Sequence, residues 1–227
     1  MRILVFAAHP DDEVLGCGAT IAKHVKNGDE VNVVILAEGI TSREKLRNTN
    51  KSKKQLNELS VVAQKANKLL GVKSLTLHDF PDNRMDSLEL LDVIKVVETF
   101  IYKFKPDVIY THHVGDVNID HQIVHKAVIT ACRPIPNFFV KRILFFEVAS
   151  STEWQTFGSS ICFSPNWFVD VSEFLELKLK ALEVYNCEMR DYPHSRSIKA
   201  LEYLARWRGA SIGVESAEAF ILGRNLS

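Results

Sequence analysis

Ile3-Leu4-Val5-Phe6-Ala7-Ala8-His9-Pro10-Asp11-Asp12-Glu13 is the stretch that sets the fold. Residues 3–7 are apolar at every position, the pattern of a short strand buried on both faces. His9 and Pro10 end the run too soon for a secretory core with its cleavage site. A helical pattern follows over residues 16–26, where Ile21, Ala22 and Val25 share a face and Asn27-Gly28 stops it. The same alternation continues downstream. Residues 31–36, 74–77, 107–110 and 143–147 read as strands, and 41–70, 87–104 and 118–132 as helices between them, with Ser87 the expected N-cap of the second. Strands and helices alternating at about 30-residue spacing imply parallel pairs joined by right-handed crossovers. The fold class is therefore α/β: a Rossmann-like, mostly parallel, doubly wound sheet with helices on both faces. After Ser150 the pattern changes. Residues 151–171 are aromatic-rich and irregular, consistent with a hairpin or small extra strands, and 171–190 and 197–208 read as amphipathic helices. We expect a small C-terminal elaboration within one domain spanning residues 1–227.

Composition narrows the function classes. The 28 basic and 28 acidic side chains cancel, so no basic surface is expected for nucleic acid. No apolar run reaches the ~18 residues of a membrane span. Cys17, Cys132, Cys162 and Cys187 are widely spaced, without a Cys-x-x-Cys pair, and read as reduced thiols in a cytoplasmic protein.

In open α/β sheets the ligand site lies beyond the carboxyl ends of the strands. The least ordinary residues of the chain gather there. They are His9 to Glu13; Glu38 with Arg43; Asp79 with 82–86; and His112-His113, Asp116 and Asn118-Ile119-Asp120-His121. Adjacent carboxylates repel unless a cation or hydrogen bonds hold them. A mixed set of imidazole and carboxylate suits zinc, and a catalytic site needs three protein ligands and an open position. His9 and Asp12 are close enough in sequence to share an ion, with His121 the best candidate for the third ligand. Asp11 is then free to act as general base, and Asp120 to orient or tune His121. Helix capping is the plainer role for Asp11, Asp12 and Asn118. The second histidine-bearing cluster at a compatible strand end weighs against it. His24 and His125 read as surface residues.

His9-Pro10-Asp11-Asp12-Glu13 after a hydrophobic first strand, followed by Gly16-Cys17-Gly18-Ala19-Thr20, resembles the signature of the LmbE-like, or PIG-L, family of zinc-dependent N-acetylglucosaminyl deacetylases. Asp116-Val117-Asn118-Ile119-Asp120-His121 resembles the second family motif, commonly His-Pro-Asp-His, and the stretch from Arg208-Gly209 to Glu218-Ala219-Phe220 resembles the family's C-terminal pattern. The resemblance implies a zinc site of His9, Asp12 and His121, with Asp11 as base and Asp120 as a tuning residue. It implies an N-acetylated sugar or glycoconjugate as substrate and, often, a homo-oligomer. One departure stands out: Asn118 occupies a position where many members carry a histidine. An asparagine can donate to an oxyanion but cannot shuttle a proton. His112, His113 or His194 are candidates for the missing acid. The resemblance also implies a substrate contact at Arg43 and a loop beside the pocket where Asp82 would meet sugar hydroxyls and Arg84 an anionic leaving group. His194 and His113 are further substrate-contact candidates, with His194 expected to close over the pocket.

Other readings stay open. A metal-dependent amide hydrolase acting on another acylated small molecule, such as an antibiotic or a thiol-cofactor precursor, would use the same ligands, with zinc or iron. A non-catalytic, metal-stabilised module would keep them and have no need of Asp11. A dinucleotide site is disfavoured, because Ile21 stands where the third fingerprint glycine belongs and the preceding loop is acidic. Trp154, Phe157, Phe163, Trp167 and Phe168 form an aromatic set suited to core, subunit contact or sugar stacking.

Overall fold

The computed structural model describes residues 1–136 and 138–226. Seven strands form one sheet in the order β3-β2-β1-β4-β5-β7-β6. They are β1 (Arg2–Ala7), β2 (Glu30–Ala37), β3 (Ser74–Phe80), β4 (Val108–His112), β5 (Arg142–Phe146), β6 (Trp167–Asp170) and β7 (Ala217–Asn225). The first five are parallel, and β7 joins β5 and β6 antiparallel. The helices are α1 (Asp12–Lys26), α2 (Thr49–Leu69), α3 (Leu90–Phe104), α4 (Ile119–Ala131), α5 (Leu175–Val184) and α6 (Ile198–Ala210). The alternation of β1 feeds two cores. Ile3, Val5 and Ala7 pack with α1, α2, α5 and α6, whereas Leu4, Phe6 and Ala8 pack with α3 and α4. The Rossmann-like sheet with helices on both faces is therefore present, and its strand order reverses between β1 and β4. The crevice at that reversal is where such sheets bind ligands.

Several boundaries differ from the sequence reading. The expected helix 41–70 is broken. A short 3-10 turn covers Thr41–Arg43, and α2 starts only after Asn48, whose side chain accepts from Lys51 N. Ser87 does not cap α3: it lies in the Met85–Ser87 turn, its hydroxyl donates to the Arg84 carbonyl, and Glu89 stands at the cap position. α5 occupies only Leu175–Val184 of the expected 171–190. The expected C-terminal elaboration is part of the main sheet. β7 was hard to read because Glu218 interrupts its apolar run, yet Glu218 is buried and paired.

α1 also starts four residues early, at Asp12, and the same pairing explains its bend. Cys17 has φ −149°, outside helical values. The normal bond from Ala19 N–H to the Leu15 carbonyl is replaced at both ends. Ala19 N–H and Thr20 N–H donate to the Glu218 carboxylate at 3.1 and 2.7 Å, and Lys178 Nζ donates to the Leu15 carbonyl at 2.8 Å. Lys178 closes the arrangement with a 2.6 Å bond to Glu218. A kink where side chains insert into the helical ladder is the expected cause of such a bend. Gly16 lies at the same place because Phe146 fills its side-chain space: a Cβ there would come within 2.3 Å of the ring.

Candidate active site

The turn after β1 and the start of α4 face each other across the crevice. They bring His9, Asp12 and His121 together. His9 Nδ1 and His121 Nε2 each lie 3.2 Å from Asp12 Oδ2. A tetrahedral ion with bonds of ~2.0 Å holds its ligand atoms about 3.3 Å apart, so this spacing fits a shared zinc-like cation. The ligand atoms of the three residues all fall within 4.8 Å of one another. Without a cation, the half-buried His9 and the buried Asp12 and His121 shift one another strongly. Burial pushes the Asp12 carboxyl up, but His121 and His9 more than offset this and carry it well below the usual range. Burial lowers the two imidazoles, and the carboxylates outweigh it. His9 is raised well above its ordinary value by Asp12 and Asp120, and His121 is raised to about 9 by Asp12 and Asp116. A divalent ion would replace these protons with its own charge.

Each imidazole has a second carboxylate on its far nitrogen. His9 Nε2 is 3.0 Å from Asp120 Oδ2, and His121 Nδ1 is 3.1 Å from Asp116 Oδ2. Asp120 therefore orients His9, not His121 as the sequence suggested. Asp116 takes the role at His121. Asp120 is itself fixed by Asn83 N–H at 2.7 Å and Met85 N–H at 2.9 Å, and Asp116 accepts from the Ser151 and Thr152 hydroxyls. A second group, His9 with Asp82 and Asp120, has comparable spacing. Its Asp120 oxygens are already taken by two backbone donors and the imidazole.

Asp11 has a different neighbourhood. It sits at the helix entrance with φ 112°, makes no side-chain cap bond, and receives Arg196 Nη1 on Oδ2 at 3.0 Å. Burial drives its carboxyl well above the ordinary range, Arg196 opposes that, and Asp12 adds to it. This is a proton acceptor of raised basicity beside the metal position, the quality a general base needs. A cavity of about 230 Å³ opens over these residues. Arg43, Asp82 and Asn118 line it, together with Asn83, Glu188 and Arg190. Arg43 is held by Glu188 at 2.6 Å. Asp82 accepts from Ser42 N–H at 2.9 Å. Asn118 caps α4 through Asp120 N–H, and its amide nitrogen donates to Asn83 at 2.8 Å.

His113 and His194 do not reach this cavity. His113 Nε2 donates to the Ile161 carbonyl at 2.8 Å, and His194 Nδ1 accepts from Arg196 N–H and packs edge-on to Trp154. His112 is buried behind His121, stacked at 3.9 Å, with Nε2 accepting from Ala8 N–H. Burial depresses its pKa well below the ordinary value, so it offers no acid. Arg84 turns to the Glu44 and Lys45 carbonyls instead of the cavity. His24 and His125 are not surface residues either. His24 bridges Asp29 and the Tyr110 hydroxyl, and His125 donates to the His112 carbonyl. None of the five flagged aromatics lines the cavity. Glu188, Arg190 and Arg196 line the cavity without having been singled out, and of these Arg196 matters most because it meets Asp11. It lies two positions after His194, but nothing in the sequence shows that it points inward.

Residues 4–132 match the family model described as PIG-L: GlcNAc-PI de-N-acetylase. An uncharacterized deacetylase of Escherichia coli, YaiS, is 32% identical over 187 residues, covering 80% of this chain and 88% of that protein. The diacetylchitobiose deacetylase of Thermococcus kodakarensis is 25% identical over 194 residues, covering 82% of this chain and 70% of its own length. Among solved structures, GalB, the 4-carboxy-2-hydroxymuconate hydratase of Pseudomonas putida, superposes with a TM-score of 0.78 at 19% identity, covering 100% of this chain and 97% of that one. That likeness shows a shared fold and leaves the reaction to the site. The sequence match runs from the first strand through the whole of α4, and so takes in both halves of the crevice. The chain belongs to the PIG-L family of deacetylases.

Proposed function

We propose that this chain removes the N-acetyl group of an N-acetylated amino sugar or its conjugate, releasing acetate, with zinc held by His9, Asp12 and His121. The observation that carries this reading is the pair of equal 3.2 Å contacts on Asp12, with Asp11 left over beside them. Zinc in that position would supply Lewis acidity to the attacking water and to the amide carbonyl. The protein's own groups manage the protons. Asp11 takes one from water as the oxygen attacks the carbonyl carbon, and returns it to the departing nitrogen as the C–N bond breaks. Arg196 holds the carboxylate in place throughout. Asn118 supplies a hydrogen-bond donor for the carbonyl oxygen as it gains charge, in place of the histidine common at this position. With His113 and His194 turned away, Asp11 serves as both base and acid. Arg43 and Asp82, on the cavity wall, would meet sugar hydroxyls, in keeping with the activity of the Thermococcus relative on diacetylchitobiose.

The test is acetate release from N-acetylglucosamine and N,N′-diacetylchitobiose by the zinc-loaded protein and its Asp11→Asn variant. We expect turnover in the first and a loss of 10²–10⁴-fold in the second, the usual worth of a general base, with zinc content unchanged. Equal turnover by both proteins would remove Asp11 from the mechanism. Turnover of other acylated small molecules, with none of either sugar, would move the substrate class to a different amide.

A further inference from the structure

We propose that Glu13 is a positioning residue for the reaction, holding the backbone of Asp11 in the conformation that turns its carboxylate away from Asp12 and into the cavity. The proposal rests on Asp11 being the base. Asp11 is one of four non-glycine residues with positive φ among the described residues. At 112° the backbone is in a region L-residues avoid, and it persists only where the surroundings over-determine it. The restraint is visible. Glu13 Oε2 accepts the Asp11 N–H at 3.1 Å. The other oxygen, Oε1, accepts from Asn67 Nδ2 at 2.7 Å and the Tyr185 hydroxyl at 2.8 Å. Glu13, Asn67 and Tyr185 are all buried, and they come from α1, α2 and the C-terminal end of α5. The carboxylate is thus pinned by two helices on one side and pins the base on the other. It reaches neither the metal position nor the cavity. Two adjacent aspartates then have separate tasks: Asp12 faces the imidazoles, and Asp11 faces Arg196.

Glu13→Gln separates this role from simple packing. The two donors at Oε1 favour the glutamine oxygen there, which turns the NH2 group toward the Asp11 N–H and replaces an acceptor with a donor. Tyr185→Phe is the control, because it removes a donor from the same carboxylate and leaves the Asp11 bond intact. Crystal structures of the zinc-loaded variants give one readout, and acetate release from N,N′-diacetylchitobiose the other. For Glu13→Gln we expect Asp11 to leave positive φ, zinc to stay on His9, Asp12 and His121, and kcat to fall at least 10-fold with KM unchanged. For Tyr185→Phe we expect the Asp11 pose of the unaltered protein and kcat within about 2-fold. Asp11 keeping its positive φ in Glu13→Gln overturns the proposal, as does an equal displacement of Asp11 in both variants. The backbone readout stands even if Asp11→Asn proves active, so a failure of the base assignment is told apart from a failure of the positioning.

Discussion

The two imidazoles on Asp12 present different nitrogens to it, His9 Nδ1 and His121 Nε2. Their far nitrogens lie at Asp120 and Asp116, carboxylates that can only accept, so once a cation takes the place of the shared protons His9 would keep its proton on Nε2 and His121 on Nδ1. Asp120→Asn weakens this control of His9, and zinc affinity should fall about 10–100-fold in competition with a chelating dye. The metal-free protein has its own pH signature. His121 titrates at about 9 when folded against an ordinary value of 6.5, because Asp12 and Asp116 outweigh its burial. The folded chain then holds more protons than the unfolded one between those values, so stability is full below pH 6.5 and falls as pH rises through 9. The loss from this group is up to about 3 kcal/mol. Urea titrations in chelator at both ends of the window check it, and His121→Asn should flatten the slope. Zinc binding has the opposite sign: affinity should rise by at least about tenfold per pH unit over the same window, as His121 and His9 lose the protons the ion displaces. That His9, Asp11, Asp12 and His121 would meet was legible in the sequence because the strand ends confined them to one edge. The partners were not. Which carboxylate meets which imidazole depends on how the Asp82–Met85 loop and the Ser151–Thr152 turn fold back, and no spacing rule encodes that.

At the scale of elements, α1 is the piece on which the site depends. Its first turn carries Asp12 and Glu13, and its kink is stabilised from a distance by Lys178 of α5 and Glu218 of β7. Both side chains are buried, with exposures of 5% and 4%. Lys178→Met leaves the Glu218 carboxylate without its cation and the Leu15 carbonyl without a donor. Breaking a buried pair from one side costs about 3–5 kcal/mol, which in a chain of this size lowers Tm by about 10 °C. Calorimetry of the variant tests this, and a Tm within 2 °C of the unaltered protein would mean the ladder break is held by something else. The parallel strands were readable because each is a continuous apolar run. The α1 bend and β7 were not, for one shared reason: Glu218 looks like a surface charge until Lys178, 40 residues away, is placed beside it.

Across the whole molecule, the strand order puts β1 next to β4 and so opens a single crevice between the His9 turn and the head of α4. The antiparallel β7–β6 pair extends the sheet edge, and the segment between α5 and α6 brings Glu188, Arg190 and Arg196 to the same crevice, opposite His9, Asp12 and His121. No helix among the described residues is long and apolar enough to cross a membrane. The doubly wound architecture was readable from alternation alone, whereas the closure of the cavity by Arg196 and Glu188 depends on the C-terminal helices, whose packing carries no motif. Everything proposed for function hangs on one cation position. The direct measurement is anomalous diffraction at the zinc edge from crystals grown with zinc. The account predicts one peak per chain, ~2.0–2.2 Å from His9 Nδ1, an Asp12 oxygen and His121 Nε2, with Asp11 outside the coordination shell. A peak shared by His9, Asp82 and Asp120 instead, or no peak between the two imidazoles, would contradict it.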